Sequence, residues 1–331
     1  MSERDRAEVD VVIPVFNESE NLAELYRRLT AVLTVSSTSH EIIFVNDGST
    51  DGSGATLDGL HESDPRVTVV HLSRNFGHQP AICAGLEHAE ARATVVMDGD
   101  LQDEPEAIPR LLAAWRSGAD VVYAVRSRRQ GSLLKRMAYR AFYRLLRWVS
   151  ELEIPLDSGD FSLMDRRVVV ALRSLPERNR FVRGLRAFVG FRQVGVECPR
   201  AERFRGRPKY TLRRLVHLAL DGLVGFSGRP LLIATYCGLV FAAVSVVLIA
   251  WALAGFFVMK TTPPGWASLM IVVLVMASVQ LLSLGIIGEY LRRIFLEAKG
   301  RPGYITADVR RTGVISTGRD ASIPPSGPRP S

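Results

Sequence analysis

The first 230 residues predict an α/β domain, a mostly parallel β-sheet covered by helices on both faces. Three observations predict it. Short apolar runs rich in β-branched residues recur along the chain. Amphipathic helical patterns separate them. The runs are apolar almost throughout, as expected of parallel strands buried on both faces, rather than alternating as in a half-solvated sheet.

The strands are read in order as "VDVVIPVF" (9–16), "EIIFVNDG" (41–48), "VTVVHLS" (67–73), "ATVVMDGD" (93–100) and "DVVYAVR" (120–126). Helical patterns fall at about 19–34, 78–91 and 105–117. This βαβ alternation gives a parallel sheet with crossover helices. Ligands of such sheets sit beyond the carboxyl ends of the strands. Several strands end in polar residues: Asn17-Glu18, Asn46-Asp47, Asp98-Gly99-Asp100 and Arg126. These ends are expected to line one cleft.

The composition changes near residue 230. Leu231–Met259 and Thr261–Gly288 contain no Asp, Glu, Lys or Arg. Each exceeds the roughly 20 apolar residues that cross a bilayer core. The intervening link is short, so the expectation is a hairpin of two transmembrane helices, about 231–258 and 265–288. Arg292, Arg293, Lys299 and Arg301 follow the second stretch. The charged start, MSERDRAEVD, does not read as a signal peptide. Together these predict a multi-pass protein of the cell membrane with the catalytic domain and both termini in the cytoplasm. The expected organisation is a tail at 1–8, a domain at 9–210 and a juxtamembrane amphipathic helix at 211–229. Two spans within 230–291 follow, then a basic tail at 292–331, disordered from about 312. The segment 132–149 reads either as an interfacial basic helix or as a core helix.

The chain has 331 residues, is 47% hydrophobic and 23% charged, and carries a net charge of +8. A basic balance implies an anionic partner. The arginines cluster beside the apolar stretches, so a lipid bilayer is the expected partner and nucleic acid is not. Cys83, Cys198 and Cys237 fit neither a zinc site nor a disulfide framework, which suits a reducing compartment.

The first strand is followed by Pro14-Val15-Phe16-Asn17-Glu18, with none of the glycines of a dinucleotide-binding turn. No phosphate-binding GxxxxGK[ST] loop occurs either. The notable pattern is "VVMDGDLQDEPEAIP" (95–109), where an apolar run ends in Asp98 and Asp100. Carboxylates without His or Cys are hard ligands suited to Mg²⁺ or Mn²⁺ bridging to a diphosphate. The alternative is an acidic turn leading into the helix at 105–117, with Asp103 or Glu104 in its first turn. On the residues alone, Asp47 reads as a turn cap, Asp160 as a partner of Arg166 or Arg167, and His78 and His88 as structural.

Four segments together resemble the family 2 glycosyltransferases: "VVIPVFNESENL", "FVNDGSTDGS", "LSRNFGHQPAICAGLEHA" and "MDGDLQDEPEAIPRLL". Four more narrow the resemblance to the polyprenyl-phosphate glycosyltransferases: "SGDFSLMDRRVV" (158–169), "ERNRFVRGLRAFVGF" (177–191), "GRPKYTLRRLVHLALDGLVGFSGRPL" (206–231) and "LGIIGEYLRRIFLEAKGRPGYI" (284–305). The resemblance spans about residues 9–306. It implies a GT-A nucleotide-diphospho-sugar transferase fold and inverting, metal-dependent transfer. The sugar would pass from a UDP- or GDP-linked donor to a polyprenyl phosphate.

The same resemblance assigns residues. Pro14, Asn17, Glu18 and Asp47 are implied to hold the base and ribose. Asp98, Asp100 and Gln102 are implied to bind the metal and the diphosphate. Arg126 and Arg140 are implied to contact phosphates, as are Arg203 and Lys209 in a basic loop. Asp160 is implied to face the acceptor and, with Asp100, to be catalytic. Where the family has Gly-x-Ser-Lys-Tyr, this chain has Gly206-Arg207-Pro208-Lys209-Tyr210, which removes a hydroxyl and a backbone donor.

A processive polysaccharide synthase would need a Gln-x-x-Arg-Trp motif. The nearest match, Arg144-Leu145-Leu146-Arg147-Trp148, has the wrong first residue and the wrong place. A silent membrane scaffold would not need intact Asp98, Asp100, Gln102, Arg126 and Lys209. Donor sugar and oligomeric state, a homo-oligomer included, are left open by the sequence.

Overall fold

The computed structural model describes residues 7–36, 38–126, 158–177, 181–198, 265–312 and 314–317, with isolated helical positions between 236 and 251. The chain divides into two compact units. Met1–Leu133, Ile154–Pro208 and Pro302–Ser331 make the first. Leu134–Glu153 and Lys209–Arg301 make the second.

The first unit holds a nine-stranded sheet. Its strands are β1 (Val9–Val15), β2 (His40–Asn46), β3 (Val67–Leu72), β4 (Ala93–Val96), β5 (Val121–Arg126), β6 (Ser158–Asp165), β7 (Gln193–Cys198), β8 (Thr306–Arg311) and β9 (Val314–Thr317). They lie in the order β7-β5-β6-β4-β1-β2-β3-β8-β9. The centre, β4-β1-β2-β3, is parallel, as the apolar runs predicted. Strands β1 and β4 are buried along their whole length, which is why their sequences do not alternate.

The flanks differ from the expectation. Strand β6 runs antiparallel between β4 and β5, and β8 antiparallel beside β3. The sequence of β6, "SGDFSLMD", carries polar residues at several positions and gave no apolar run to read.

Among the described residues of this unit the α-helices are α1 (Ser19–Val35), α2 (Ser53–Ser63), α3 (His78–His88), α4 (Ile108–Arg116), α5 (Arg166–Ser174) and α6 (Val182–Phe188). In α1, Leu22, Leu25, Leu29 and Leu33 recur at three- and four-residue spacing and are all buried. Helix α3 lies on β1 and β2 at Gly85, where a Cβ would run into Val12 and Val45.

Helix α2 was not expected from the sequence. Its glycines and serines hide the period, and only Ser53 and Leu57 are buried. Strand β4 stops at Val96, short of the expected 100. Met97 still donates its N–H to the Val12 carbonyl at 3.1 Å, and the chain then turns away. Asp98 and Asp100 therefore stand on a loop beyond the strand's carboxyl end.

The second unit's one continuously described helix is α7 (Trp266–Ala298), 33 residues long. It does not stop at Gly288 but carries on through a charged turn. There Glu289 pairs with Arg292 at 2.7 Å and with Arg293 at 3.2 Å. Among the described residues no helix is long and apolar enough to cross a membrane. This overturns the expected multi-pass membrane placement, and the expected transmembrane hairpin is not found among the described residues. Most of Leu231–Met259 lies outside the described residues, as do the amphipathic segments 132–149 and 211–226.

The expected basic tail is also corrected. Its first residues belong to α7. Residues 306–317 supply β8 and β9 to the sheet, with β9 lying beyond the point where disorder was expected.

Candidate active site

The loops after β1 and β2 are tied together by short polar side chains. Asn17 takes a left-handed backbone, φ 55°, which Asn tolerates better than most residues. Its N–H donates to Ser49 Oγ at 3.0 Å, and its Oδ1 accepts the Thr50 N–H at 2.8 Å. The Glu18 N–H donates to Ser53 Oγ at 3.1 Å. Glu18 Oε2 accepts from Asn21 Nδ2 at 2.6 Å. Pro14 sits in buried β1, opposite Val45 of β2. Three of the four residues expected to hold the nucleotide thus meet at neighbouring strand ends.

Asp47 does more than shape its own turn. Its carboxylate crosses to the loop before α3 and accepts the Phe76 N–H at 2.7 Å and the Gly77 N–H at 2.9 Å. Burial pushes its pKa up, more than those two donors pull it down. The turn itself is capped by Asp51. Burial pushes the Asp51 carboxyl up, but hydrogen bonds from Ser53 and Ser19 outweigh it and hold it at about 2. Gly48 is required here. Its φ is +66°, and a Cβ would lie 2.5 Å from the Arg74 carbonyl carbon.

Beyond β4 the acidic loop is compact. Gly99 packs against β1, where a Cβ would come within 3.3 Å of the Pro14 carbonyl oxygen. Asp100 Oδ1 accepts the Gln102 N–H at 3.1 Å. Between them Leu101 is buried at φ 59°, a conformation costing roughly 1–2 kcal/mol for a non-glycine residue. Glu104 is the N-cap residue of the short 3₁₀ turn (Pro105–Ala107) that leads into α4, and its side chain makes no cap hydrogen bond there.

Asp160, on β6, is the electrostatic centre. Its Oδ1 lies 3.2 Å from Arg183 Nη2 of α6. Its Oδ2 accepts from His78 Nε2 at 3.2 Å and from Gln79 Nε2 at 3.5 Å. His78 Nε2 is also 3.5 Å from Asp98 Oδ1. One imidazole therefore links the acidic loop to Asp160. Burial pushes the Asp160 pKa up, but His78 and Arg183 reverse this and hold it far below the usual carboxylate range. For His78, burial pushes the pKa down, and Asp160 with Asp98 overcomes it, leaving a raised value.

Arg186 lies deeper. It is 2% exposed, its guanidinium carbon stands 5.5 Å from the centroid of the Tyr123 ring, and burial lowers its pKa to about 10.

Several of these residues escaped sequence reading. His78 was read as structural, yet it bridges the two carboxylates. Asp160 pairs with neither Arg166, which donates to the Glu90 carbonyl, nor Arg167, which pairs with Asp120. Gln79, Arg183 and Arg186 were unassigned, although both of their segments, "RNFGHQPA" and "RFVRGLR", had been singled out by resemblance. Arg126 ends β5, paired with Cys198 in the register. Arg140, Arg203 and Lys209 lie outside the described residues.

The glycosyl transferase family 2 profile matches residues 10–172, which carry all of this loop cluster except α6. An uncharacterized glycosyltransferase of Bacillus subtilis is 44% identical over 89% of this chain and 92% of its own length. The chain belongs to glycosyltransferase family 2. A prophage bactoprenol glucosyl transferase homolog of Escherichia coli is 40% identical, covering 92% of this chain and 99% of the relative. The bactoprenol glucosyl transferase of Shigella phage SfV is 41% identical over 90% and 97%. This family 2 enzyme has a GT-A-like α/β fold, and its acidic residues gather past the ends of the parallel strands.

Proposed function

We propose that this family 2 glycosyltransferase moves one sugar from a UDP- or GDP-linked donor to a polyprenyl phosphate, inverting the anomeric carbon. The linked arrangement of Asp98, His78, Asp160 and Arg183 carries the reading. Both Asp160 oxygens are engaged by cationic or amide donors, so this carboxylate is poorly placed to take a proton. A sugar hydroxyl acceptor needs a base. A phosphate monoester does not, because its second pKa is near about 6 and it arrives largely as the dianion. The relatives named bactoprenol glucosyl transferases support the same acceptor class.

In this reading Asn17, Glu18 and Asp47, with Pro14 beneath them, frame the nucleotide. Asp98, Asp100 and Gln102 face the diphosphate. Arg126, Arg140, Arg203 and Lys209 meet phosphates of donor or acceptor. Asp160 holds His78 and Arg183 in place for the incoming acceptor.

The donor set suits Mg²⁺ or Mn²⁺. Among the described residues no group of three His, Cys, Asp or Glu could hold a metal by itself. A hard cation that bridges to a diphosphate needs only one or two carboxylates, the phosphates supplying the rest. Asp98 and Asp100 would hold it, with Gln102 alongside. When bound, it supplies positive charge against the leaving nucleoside diphosphate.

The test incubates the full chain with polyprenyl phosphate in detergent micelles, Mg²⁺ or Mn²⁺, and a panel of UDP- and GDP-sugars. Glycolipid is read by mass, with Asp100→Ala alongside. Transfer from one donor, falling at least 1000-fold in the variant, is expected. Wild-type turnover in Asp100→Ala with metal present overturns the metal assignment, and transfer only to sugar hydroxyls overturns the acceptor.

A further inference from the structure

Strand β8 comes from the far end of the chain, yet its side chains connect to the loop that frames Asn17. Arg310 Nη1 is 3.1 Å from Asp58 Oδ1 on α2. The same oxygen lies 3.0 Å from His71 Nε2 on β3. His71 Nδ1 lies 3.0 Å from Asn46 Nδ2 at the end of β2. Asn46 Oδ1 accepts the Ser49 N–H at 3.0 Å, and Ser49 Oγ accepts the Asn17 N–H at 3.0 Å.

The partners fix every orientation along this run. Because Asn46 Oδ1 faces a backbone N–H, its amide nitrogen must face His71. An amide nitrogen only donates, so His71 Nδ1 must accept and the ring proton sits on Nε2, pointing at the Asp58 carboxylate. Gly54 leaves room for the contact, since a Cβ there would come 3.1 Å from Asn46 Nδ2. Donation therefore runs from the loop toward Asp58, from Asn17 to Ser49, Asn46, His71 and the carboxylate, and Arg310 donates to that same carboxylate from β8.

We propose that His71 is a positioning residue for nucleotide binding, and that Arg310 of β8 sets it through Asp58. The proposal rests on the reading that the loop at 46–53 frames the nucleotide. Arg310 anchors the Asp58 oxygen that accepts the hydrogen bond from His71 Nε2. Asp58 holds the imidazole tautomer, and the imidazole holds Asn46 so that Ser49 and Asn17 are correctly spaced before the donor arrives. Strand β8 thereby acts on the donor site without touching the donor.

The test compares full-length wild type, Arg310→Ala, Arg310→Lys, His71→Ala and Arg311→Ala. Binding of UDP and GDP is measured by calorimetry with Mg²⁺, and KM and kcat for the donor by turnover. Arg310 is 39% exposed, so its loss leaves the core intact. Arg311 is the control. It makes an ion pair of 2.9 Å with Glu41 from the same strand, away from His71.

Arg310→Ala and His71→Ala are expected to raise nucleotide Kd and donor KM about 3–10-fold, with kcat within about twofold, as loss of one net hydrogen bond implies. Arg310→Lys keeps a cation on Asp58 and is expected within about twofold of wild type. Arg311→Ala is expected to leave KM unchanged. Unchanged Kd in both Arg310→Ala and His71→Ala overturns the proposal, as does an equal rise in Arg311→Ala. If wild type binds neither nucleotide, the nucleotide reading of the loop fails first and the proposal falls with it.

Discussion

Removing His78 tests the link between the acidic loop and Asp160. His78→Ala takes away the imidazole that lies 3.2 Å from Asp160 and 3.5 Å from Asp98. A hydrogen bond to a charged group contributes roughly 1.5–3 kcal/mol. The His78 side chain is 44% exposed, so solvent screens it and the lower end applies. About 1.5 kcal/mol corresponds to about tenfold in rate. Glycolipid formation at saturating donor is therefore expected to fall about tenfold. Asp160→Asn is expected to lose more, because it also releases Arg183. The decisive assay is the double-mutant cycle on kcat. Two residues acting through one contact give a double variant no worse than Asp160→Asn. A His78→Ala enzyme within twofold of wild type, or strict additivity in the double variant, refutes the linkage.

Two further perturbations follow from the fold. Asp10 on β1 is 1% exposed and accepts N–H groups from Glu90 and Ala91 at 2.5 and 2.7 Å. Burial still raises its pKa to about 7, helped by Glu41 and opposed by the two backbone donors and by Arg311. A raised carboxyl favours the folded state below its unfolded value of about 3.9 and loses that stability as pH climbs to about 7. Wild type should thus lose on the order of 3–4 kcal/mol across that window while Asp10→Asn does not. Denaturant melts at pH 4 and pH 8 check it, and parallel pH slopes for the two proteins would sink the argument. Gly48→Ala places a Cβ 2.5 Å from the Arg74 backbone at φ +66°. It is expected to destabilise by about 1–3 kcal/mol and to weaken nucleotide binding, read from melting temperature and calorimetry.

The parallel centre was legible because burial on both faces forces continuous apolar runs, and β1, β2 and β3 fall within a residue or two of where those runs put them. Strands β6 and β8 were not legible, since sheet flanks carry polar residues and "TADVRR" has no apolar run at all. The acidic pair was visible as a pattern, and its position past a strand end followed from the parallel order. His78 was invisible for a different reason. Its partner Asp160 is 82 residues away, and they meet only because β6 inserts antiparallel beside β4. Apolar periodicity carries no information about that insertion. For the apolar C-terminal stretch the rule failed in the other sense. Hydropathy marked an end at Gly288, whereas the backbone of α7 continues, because Glu289, Arg292 and Arg293 pair with one another along the helix.

The charges in the cleft explain why donor and acceptor should depend differently on a divalent cation. Among the described residues, Asp160 is held by His78 and Arg183, and Asp98 lies 3.5 Å from the same His78. Arg186, buried, adds its charge to Asp160 from further off. At Asp98 and Asp100 a diphosphate would meet two carboxylates on one loop. A nucleoside diphosphate is repelled there unless a cation intervenes. The acceptor side differs, because Arg183, with Arg186 behind it, puts guanidinium charge beside the single carboxylate of Asp160. Nucleotide binding is therefore expected to be lost in chelator, and a short-chain polyprenyl phosphate is expected to bind without metal. Acceptor binding that also vanished in chelator would place its phosphate on the cation rather than on the His78–Arg183 side.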